Sequence, residues 1–305
     1  MDIQHLRNFI AILDQNSISN AAILVRMSQP ALSRQLHALE VEVGAPLLIR
    51  HPWGVAPTVA GEILAARART IFQQLQLARD EISTATNVAT GTLSVGVSAS
   101  LASIILPQVV PASRKAMPNV KLRLYEGNSV ILQERLLARE LDLALIHART
   151  SPPAFQTHFA LREPVVAVGR AGTFRSEVAV SMNEMLKYTN LLAAALHGPL
   201  RQLYEEAARA AAPWTAFVEI DSFPTLLRLL ADGEGVAVLA YSTIHSGVQA
   251  GHLSWAPFSP KPLRTRIILA SHHERLETPA WRIMIDILRG IIESNKELLR
   301  WNLER

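Results

Sequence analysis

Between Ser17 and Arg50 the chain reads SISNAAILVRMSQPALSRQLHALEVEVGAPLLIR: two short apolar-periodic segments about a turn apart, with a basic, amide-bearing face left over. That pattern fits a helix-turn-helix. Ser19 is the expected N-cap of the first segment, where Ala21, Ala22 and Val25 make one apolar face and the paired alanines let a second helix approach closely. This segment ends near Arg26. Ser28 then caps a second helix with Pro30 in its first turn, a place where the missing amide hydrogen costs nothing. Leu32, Leu36, Leu39 and Val43 recur at the spacing of a buried stripe, and Gly44 ends the helix. Its other face carries Gln29, Ser33, Arg34 and His37. Gln can pair bidentately with adenine and Arg with guanine, while Ser and the leading amides can hold phosphate. The solvated face of an ordinary bundle carries the same residue types, so periodicity alone leaves both readings open.

The residues themselves go further. SQPALSRQL, followed by LE, Gly44 and LLIR, with AA seven residues before SQP, resembles the N-terminal helix-turn-helix of the LysR-type transcriptional regulators. The likeness is strongest over the first sixty residues, and the length and layout of the remainder fit as well. Leu47, Leu48, Ile49 and Arg50 depart from the family's LF-x-R, a lost Phe that alters local packing. LLIR, GVAPT and AGEIL look most like the nitrogen assimilation control subgroup. The resemblance implies a homodimer or homotetramer on inverted-repeat double-stranded DNA, a small-molecule co-inducer, and RNA polymerase as a further partner. It places Ser28, Gln29, Pro30, Ser33, Arg34, His37, Arg50 and His51 at the DNA.

Upstream, Leu6, Phe9, Ile10 and Leu13 form the apolar face of a first helix starting near Asp2. After Gly44, the run from Pro46 to Thr58 reads as a wing whose Gly/Pro turn brings Arg50 and His51 to phosphate or a minor groove, a plain surface loop being the alternative. Residues 1–58 are thus expected to be a winged helix-turn-helix domain. The pI near 9.7 does not describe this part, because residues 1–90 hold seven Arg, no Lys and seven acids. DNA affinity must come from placement, and two modest half-sites combined in a dimer suit it.

Thr58 caps the next helix, in which Leu64, Ala68, Ile71, Leu75, Ala78, Ile82 and Ala85 step by four and three. That is a heptad seam on an otherwise polar helix, and it needs a partner. Packing on its own domain is one reading; the resemblance implies a linker helix dimerising with its twin, which makes residues 59–90 a dimerisation linker and hinge.

From residue 91, GTLSVGVSAS, a helix over 104–116, VKLRLYEG, a helix from Ser129 to Arg139 and LDLALIH alternate as strand, helix, strand, helix, strand, and predict a parallel sheet. VVAVG, LLAAALHGP, a helix from Leu200, FVEID, a helix from Phe223 and GVAVLA form a second unit; Ile267 to Ala270 return to the first, and Thr278 and Pro279 start a final helix. The expectation is an α/β effector domain over 91–305 with two lobes like those of periplasmic binding proteins, lobe 1 at 91–163 and 268–305 and lobe 2 at 164–267. Ligands of such sheets bind beyond the strand C-termini. Those ends carry Ser98, Ala99, Ser100, Gly127, Asn128, Ser129 and His147 in one lobe and His197 and Ser222 in the other. Exposed helix-start amides suit an anion, and the resemblance places a co-inducer there. Serine and asparagine also cap helices everywhere, so each taken singly has a structural alternative.

Length and composition bound the rest. A chain of 305 residues, 49% hydrophobic, is long enough for two or three domains, and without cysteine it has no disulfide or thiolate metal site. No leader-like segment and no long uncharged run appears, so a soluble cytoplasmic protein without a membrane partner is expected. Ten His include no H-E-x-x-H, Gly96-Val97-Ser98 lacks the second Gly of a nucleophile elbow, and Gly233-Glu234-Gly235 lies between a helix and a strand, as a C-cap does. Neither catalysis nor a cofactor is expected. The function class that competes with a regulator is a small-molecule binding protein whose N-terminal helices serve only to dimerise.

Overall fold

Asp2 accepts the amide hydrogen of His5 at 2.7 Å and so starts α1 (Ile3–Gln15), which closes on Asn16 at φ 47. In the computed structural model, which describes residues 1–185, 187–188, 191–193 and 218–304, the chain falls into two units, Met1–Asp80 and Glu81–Arg305. Ser17 rather than Ser19 caps α2 (Ile18–Leu24), accepting from the amide of Asn20. The cap sits earlier than expected because Ile18 is itself a core residue and the helix must include it, leaving Ser19 exposed in the first turn. α3 (Gln29–Val43) starts at Ser28 and stops at Gly44, whose φ of 75 favours glycine. Leu32, Leu36 and Leu39 pack with Phe9, Ile12, Ala21, Ala22 and Leu47. Val43 points along the same stripe but lies in the last turn, past the residues that cover it, and is 39% exposed.

β1 (Leu48–His51) and β2 (Gly54–Pro57) pair antiparallel, forming the expected wing. Its root is tight: a Cβ on Gly61 would stand 2.1 Å from the carbonyl oxygen of Leu47. Gly61→Ala should therefore destabilise this unit at or beyond the upper end of the roughly 1–3 kcal/mol typical of overpacking. A melting temperature equal to that of the wild type would show that the backbone yields there.

Thr58 accepts from the amide of Gly61 at 3.0 Å and begins α4 (Val59–Thr86). Ala68 of the expected seam is buried, and Leu64 packs on the helix-turn-helix core beside buried Ala65, so these two serve their own domain. Asp14 pairs with Arg69 at 3.4 Å, and the Arg7 guanidinium lies 5.9 Å from the Phe72 ring centroid, extending the contact of α1 with α4. Ile71, Ala78 and Ile82 stay exposed, and Leu75 is half-buried.

In the second unit β3 (Gly91–Ser98), α5 (Ala99–Ala116), β4 (Val120–Gly127), α6 (Ser129–Leu137) and β5 (Leu143–His147) give the expected alternation with parallel strands. Next comes β6 (Phe155–Arg170), a single strand of 16 residues. Then follow α7 (Met182–Met185), β7 (Leu191–Ala193), β8 (Val218–Ile220), α8 (Phe223–Asp232), β9 (Ala237–Ala240), α9 (Tyr241–Gln249), β10 (Leu253–Ala256), β11 (Leu263–His272), α10 (Pro279–Asn295) and β12 (Asn302–Leu303). The main sheet runs β10-β6-β11-β5-β3-β4, with β9 and β12 also on β6. It is mixed rather than parallel, because β6 and β11 are antiparallel to each other and β11 to β5. Arg162-Glu163-Pro164 looks like a break in sequence, yet β6 runs through it. Pro164 falls between the residues paired with β12 and those paired with β9, where no ladder partner needs its hydrogen. The helix expected from Leu200 and the residue His197 lie outside the described residues.

Two lobes follow from the apolar cores. One lobe buries Leu93, Val95, Leu145, Ile267 and Leu269 on one sheet face and Ala144, Ile146 and Ile268 on the other. The second buries Val166, Val168, Leu226, Leu230, Leu239 and Phe258. Between them the two crossover strands carry only Arg162-Glu163-Pro164 and Arg264-Thr265-Arg266.

Candidate nucleic-acid interface and interlobe cleft

Five residues expected at DNA on or next to α3, namely Ser28, Gln29, Pro30, Arg34 and His37, are exposed, and Ser33 is partly so. Gln29 donates from Nε2 to the Ser33 hydroxyl at 3.1 Å, one turn on. The Ser28 hydroxyl accepts from the amide of Ala31, so its first duty is the cap. Arg50 and His51 are exposed on β1. The His51 ring stacks on Trp53, centroids 5.6 Å apart and planes 2° apart, and Trp53 is 84% exposed. Sequence reasoning passed over Trp53; a tryptophan beside the Gly of a wing turn was the signal available. It also passed over Asn8, which is buried, donates to Gln35 Oε1 at 2.6 Å and accepts from Gln4 at 2.9 Å, pinning α1 to α3. A lone amide within an apolar helix face carries no local signal of such a role. The acids turn away from the exposed strip: Glu40 accepts from the amide of Leu47 at 2.8 Å, and Glu42 pairs with the N-terminal ammonium.

A cleft of about 480 Å³ opens between the lobes, walled by Leu106, Pro107 and Val110 on one side and Phe223, Pro224 and Leu227 on the other. Ala99 and Ser100 of the expected contact set line it, with Ser103, Glu126 and Thr243. The other described members of that set are not among its lining residues. Asn128 and Ser222 cap α6 and α8, accepting from the amides of Ile131 and Thr225. Ser98 and Ser129 are buried and bonded to each other at 3.2 Å; Ser98 donates to the Leu145 carbonyl and Ser129 accepts from the amide of His147. These serines tie strand ends together. Gly127 ends β4, where a Cβ would meet Leu132 at an ordinary 3.5 Å.

His147 lies behind Ser100. Its Nε2 is 2.9 Å from the Ser100 hydroxyl, its Nδ1 is 3.3 Å from that of Thr265 on β11, and Glu163 Oε1 on β6 stands 3.7 Å from Nε2. Both side chains are buried, and burial pushes His147 down to about 4 and Glu163 up to about 7, the latter despite the bonds from Ser242 and Trp301 that favour its charge. Glu163 Oε2 accepts from the amide of Ser242 at 3.4 Å and from the Trp301 indole at 3.2 Å, while Oε1 has no hydrogen-bond partner. With two donors on Oε2, the carboxyl hydrogen belongs on Oε1, facing His147. The gap between about 7 and about 4 favours that neutral pair by on the order of 4 kcal/mol. Across 3.7 Å, at an effective dielectric of about 20, the attraction of the alternative ion pair is also on the order of 4 kcal/mol. That attraction opposes the preference of both buried groups for the neutral form. The sequence puts Glu163 at the boundary of the lobes but gives its carboxyl no role, since an acid beside proline resembles a loop.

Among family models, the bacterial regulatory helix-turn-helix protein, lysR family, matches residues 3–62, and the LysR substrate binding domain matches residues 86–291. The nitrogen assimilation regulatory protein nac of Klebsiella aerogenes is 32% identical over 305 residues, covering 98% of this chain and 99% of that one. A full-length OxyR variant from Pseudomonas aeruginosa has the same fold, with a TM-score of 0.68 and 24% identity over 96% of this chain and 95% of that one. Full-length CbnR in complex with its target DNA gives a TM-score of 0.67 at 20% identity, over 95% of this chain and 100% of that one.

Proposed function

The chain belongs to the LysR family of DNA-binding transcriptional regulators, and we propose that it grips an inverted-repeat operator as a dimer while a small molecule between the lobes sets how well it does so. The observation that carries this is the exposed strip of Gln29, Arg34 and His37 on a helix whose opposite face is buried. The two half-site domains are joined through Ile71, Leu75, Ala78 and Ile82 of α4. Binding of CbnR to its target DNA supports the DNA role by likeness of fold. A binding protein that only dimerises through its first helices leaves the helix-turn-helix match without a purpose.

The ligand has an apolar body, to suit Leu106, Val110, Phe223 and Leu227, and an acceptor group that meets Ser100 at the start of α5. Ser98 makes no side-chain cap there, so the leading amides of α5 are left for an anion or another acceptor. RNA polymerase is the partner through which such a regulator acts, and the cytoplasm is where it meets both. Among the described residues no helix is long and apolar enough to cross a membrane. Like its relatives, this chain acts by binding and not by catalysis.

Arg34→Ala tests the interface. Specific operator affinity, read by mobility shift on DNA beside the protein's own gene, should fall by roughly 1–3 kcal/mol with one base preference relaxed in each half-site. Unchanged affinity in a variant that still dimerises would remove Arg34 from the contact set.

A further inference from the structure

The Nε2 lone pair of His147 is sought by two hydrogens at once. With Nδ1–H directed at Thr265, the Ser100 hydroxyl donates to Nε2 from the cleft side, and the Oε1–H of Glu163 faces the same lone pair from the crossover strand. At 2.9 Å against 3.7 Å, Ser100 holds it. Ser100 also lines the cleft, so anything bound there can compete for its hydroxyl.

The far side of the carboxyl connects to the second lobe. α9 begins at Tyr241 without a side-chain cap from Ala240, and Glu163 Oε2 takes the amide of Ser242 in that role. A carboxylate holds a helix N-terminus more firmly than a neutral acid does. Thr243, in the same turn, lines the cleft. Of the charged groups flanking this chain of contacts, Glu126 lines the cleft with Ser100. Arg162 and Arg266 both bond Glu304, and neighbours in a strand point to opposite faces, which takes them away from Glu163 and Thr265. The Arg300 guanidinium lies over the Tyr241 and Trp255 rings, and His245 meets the Tyr241 ring edge-on.

We propose that Ser100, His147 and Glu163 form a proton relay from the cleft to the crossover: a ligand acceptor that draws the Ser100 hydroxyl into the cleft frees Nε2, and the Glu163 proton moves onto it. The Oε1–H bond breaks, the Nε2–H bond forms, and no proton enters or leaves the protein. The resulting carboxylate grips the start of α9, so occupancy of the cleft fastens the second lobe to the crossover. The link to a ligand rests on the effector reading above, but the relay itself is tested without one.

Ser100→Ala removes the competing donor and stands in for a ligand. In full-length protein labelled with ¹⁵N-histidine, the His147 signals, assigned by their loss in His147→Gln, should be those of a neutral ring in the wild type at about pH 6, where Glu163 keeps its proton. In Ser100→Ala the neutral-to-charged ratio should shift by up to about tenfold, the weight of one hydrogen bond between neutral groups. In Ser100→Ala combined with Glu163→Gln the ring should return to neutral. A ring that stays neutral in folded Ser100→Ala overturns the relay. So does a ring that stays charged in the double variant, since its proton then comes from solvent. The readout is the ring itself, so a cleft that binds no effector would leave these outcomes unchanged and would fail instead in an operator titration.

Discussion

A full-length chain carrying Ile71→Asp and Leu75→Asp should sediment as a monomer and should no longer shift operator DNA. Within one chain Ile71 is 38% exposed and Ile82 65% exposed, while Ala78 is also exposed and Leu75 half-buried. This is a line of apolar side chains on a helix whose other positions are mostly polar. In the proposed dimer a second copy of the helix covers it, and each carboxylate placed there would be buried without a cation, at a cost of several kcal/mol apiece. Association then weakens by roughly a thousandfold or more. DNA binding fails with it, because seven Arg balanced by seven acids in residues 1–90 leave one domain few phosphate contacts. A double variant that keeps the wild-type sedimentation coefficient and still binds operator would place this seam against its own chain.

The second large effect is one of pH. Glu163, raised from 4.5 to about 7, remains protonated in the fold while the unfolded chain ionises, so its contribution is full below 4.5 and is lost as pH rises to about 7. His147, lowered from 6.5 to about 4, does the reverse, and its penalty disappears as pH rises from about 4 to 6.5. In the wild type the two slopes oppose each other over the shared range and stability stays nearly level. Removing one partner exposes the other. Glu163→Gln should gain about 3 kcal/mol of unfolding free energy between pH 4 and 6.5, and His147→Gln should lose about as much between pH 4.5 and 7. Urea midpoints across that range measure both. Parallel profiles for the two variants would show that these groups titrate alike in folded and unfolded chains.

The helix-turn-helix was legible because its signals are local: a capping serine, a proline in the first turn, a leucine stripe and a terminal glycine all lie within seventeen residues. The parallel half of the first lobe was legible for the same reason, since each strand is a short apolar run followed by a helix start. What stayed hidden depends on contacts distant in sequence. Whether Ser17 or Ser19 caps α2 is decided by where Ile18 packs. The length of β6 is set by what pairs beside Pro164, and the acid at its centre is tolerated only because Trp301 and Ser242 arrive from elsewhere. Ser98 and Ser129 stand at strand ends as a ligand site requires, but their hydroxyls are engaged with each other and with β5. Nothing within either segment could have told that use from the other.

β6 and β11 pass between the lobes as one hydrogen-bonded ladder, in register from Leu263 opposite Val165 to Leu269 opposite Phe159. Two separate strings would let the lobes slide or hinge freely, whereas a ribbon with a fixed ladder resists shear and yields mainly to torsion. The second lobe can therefore turn about the ribbon's long axis far more readily than it can shift along it. A change in lobe angle carried by this ribbon would therefore be a rotation, and a side chain that stiffens the ribbon at Glu163 or Thr265 would alter its torque constant, not its path.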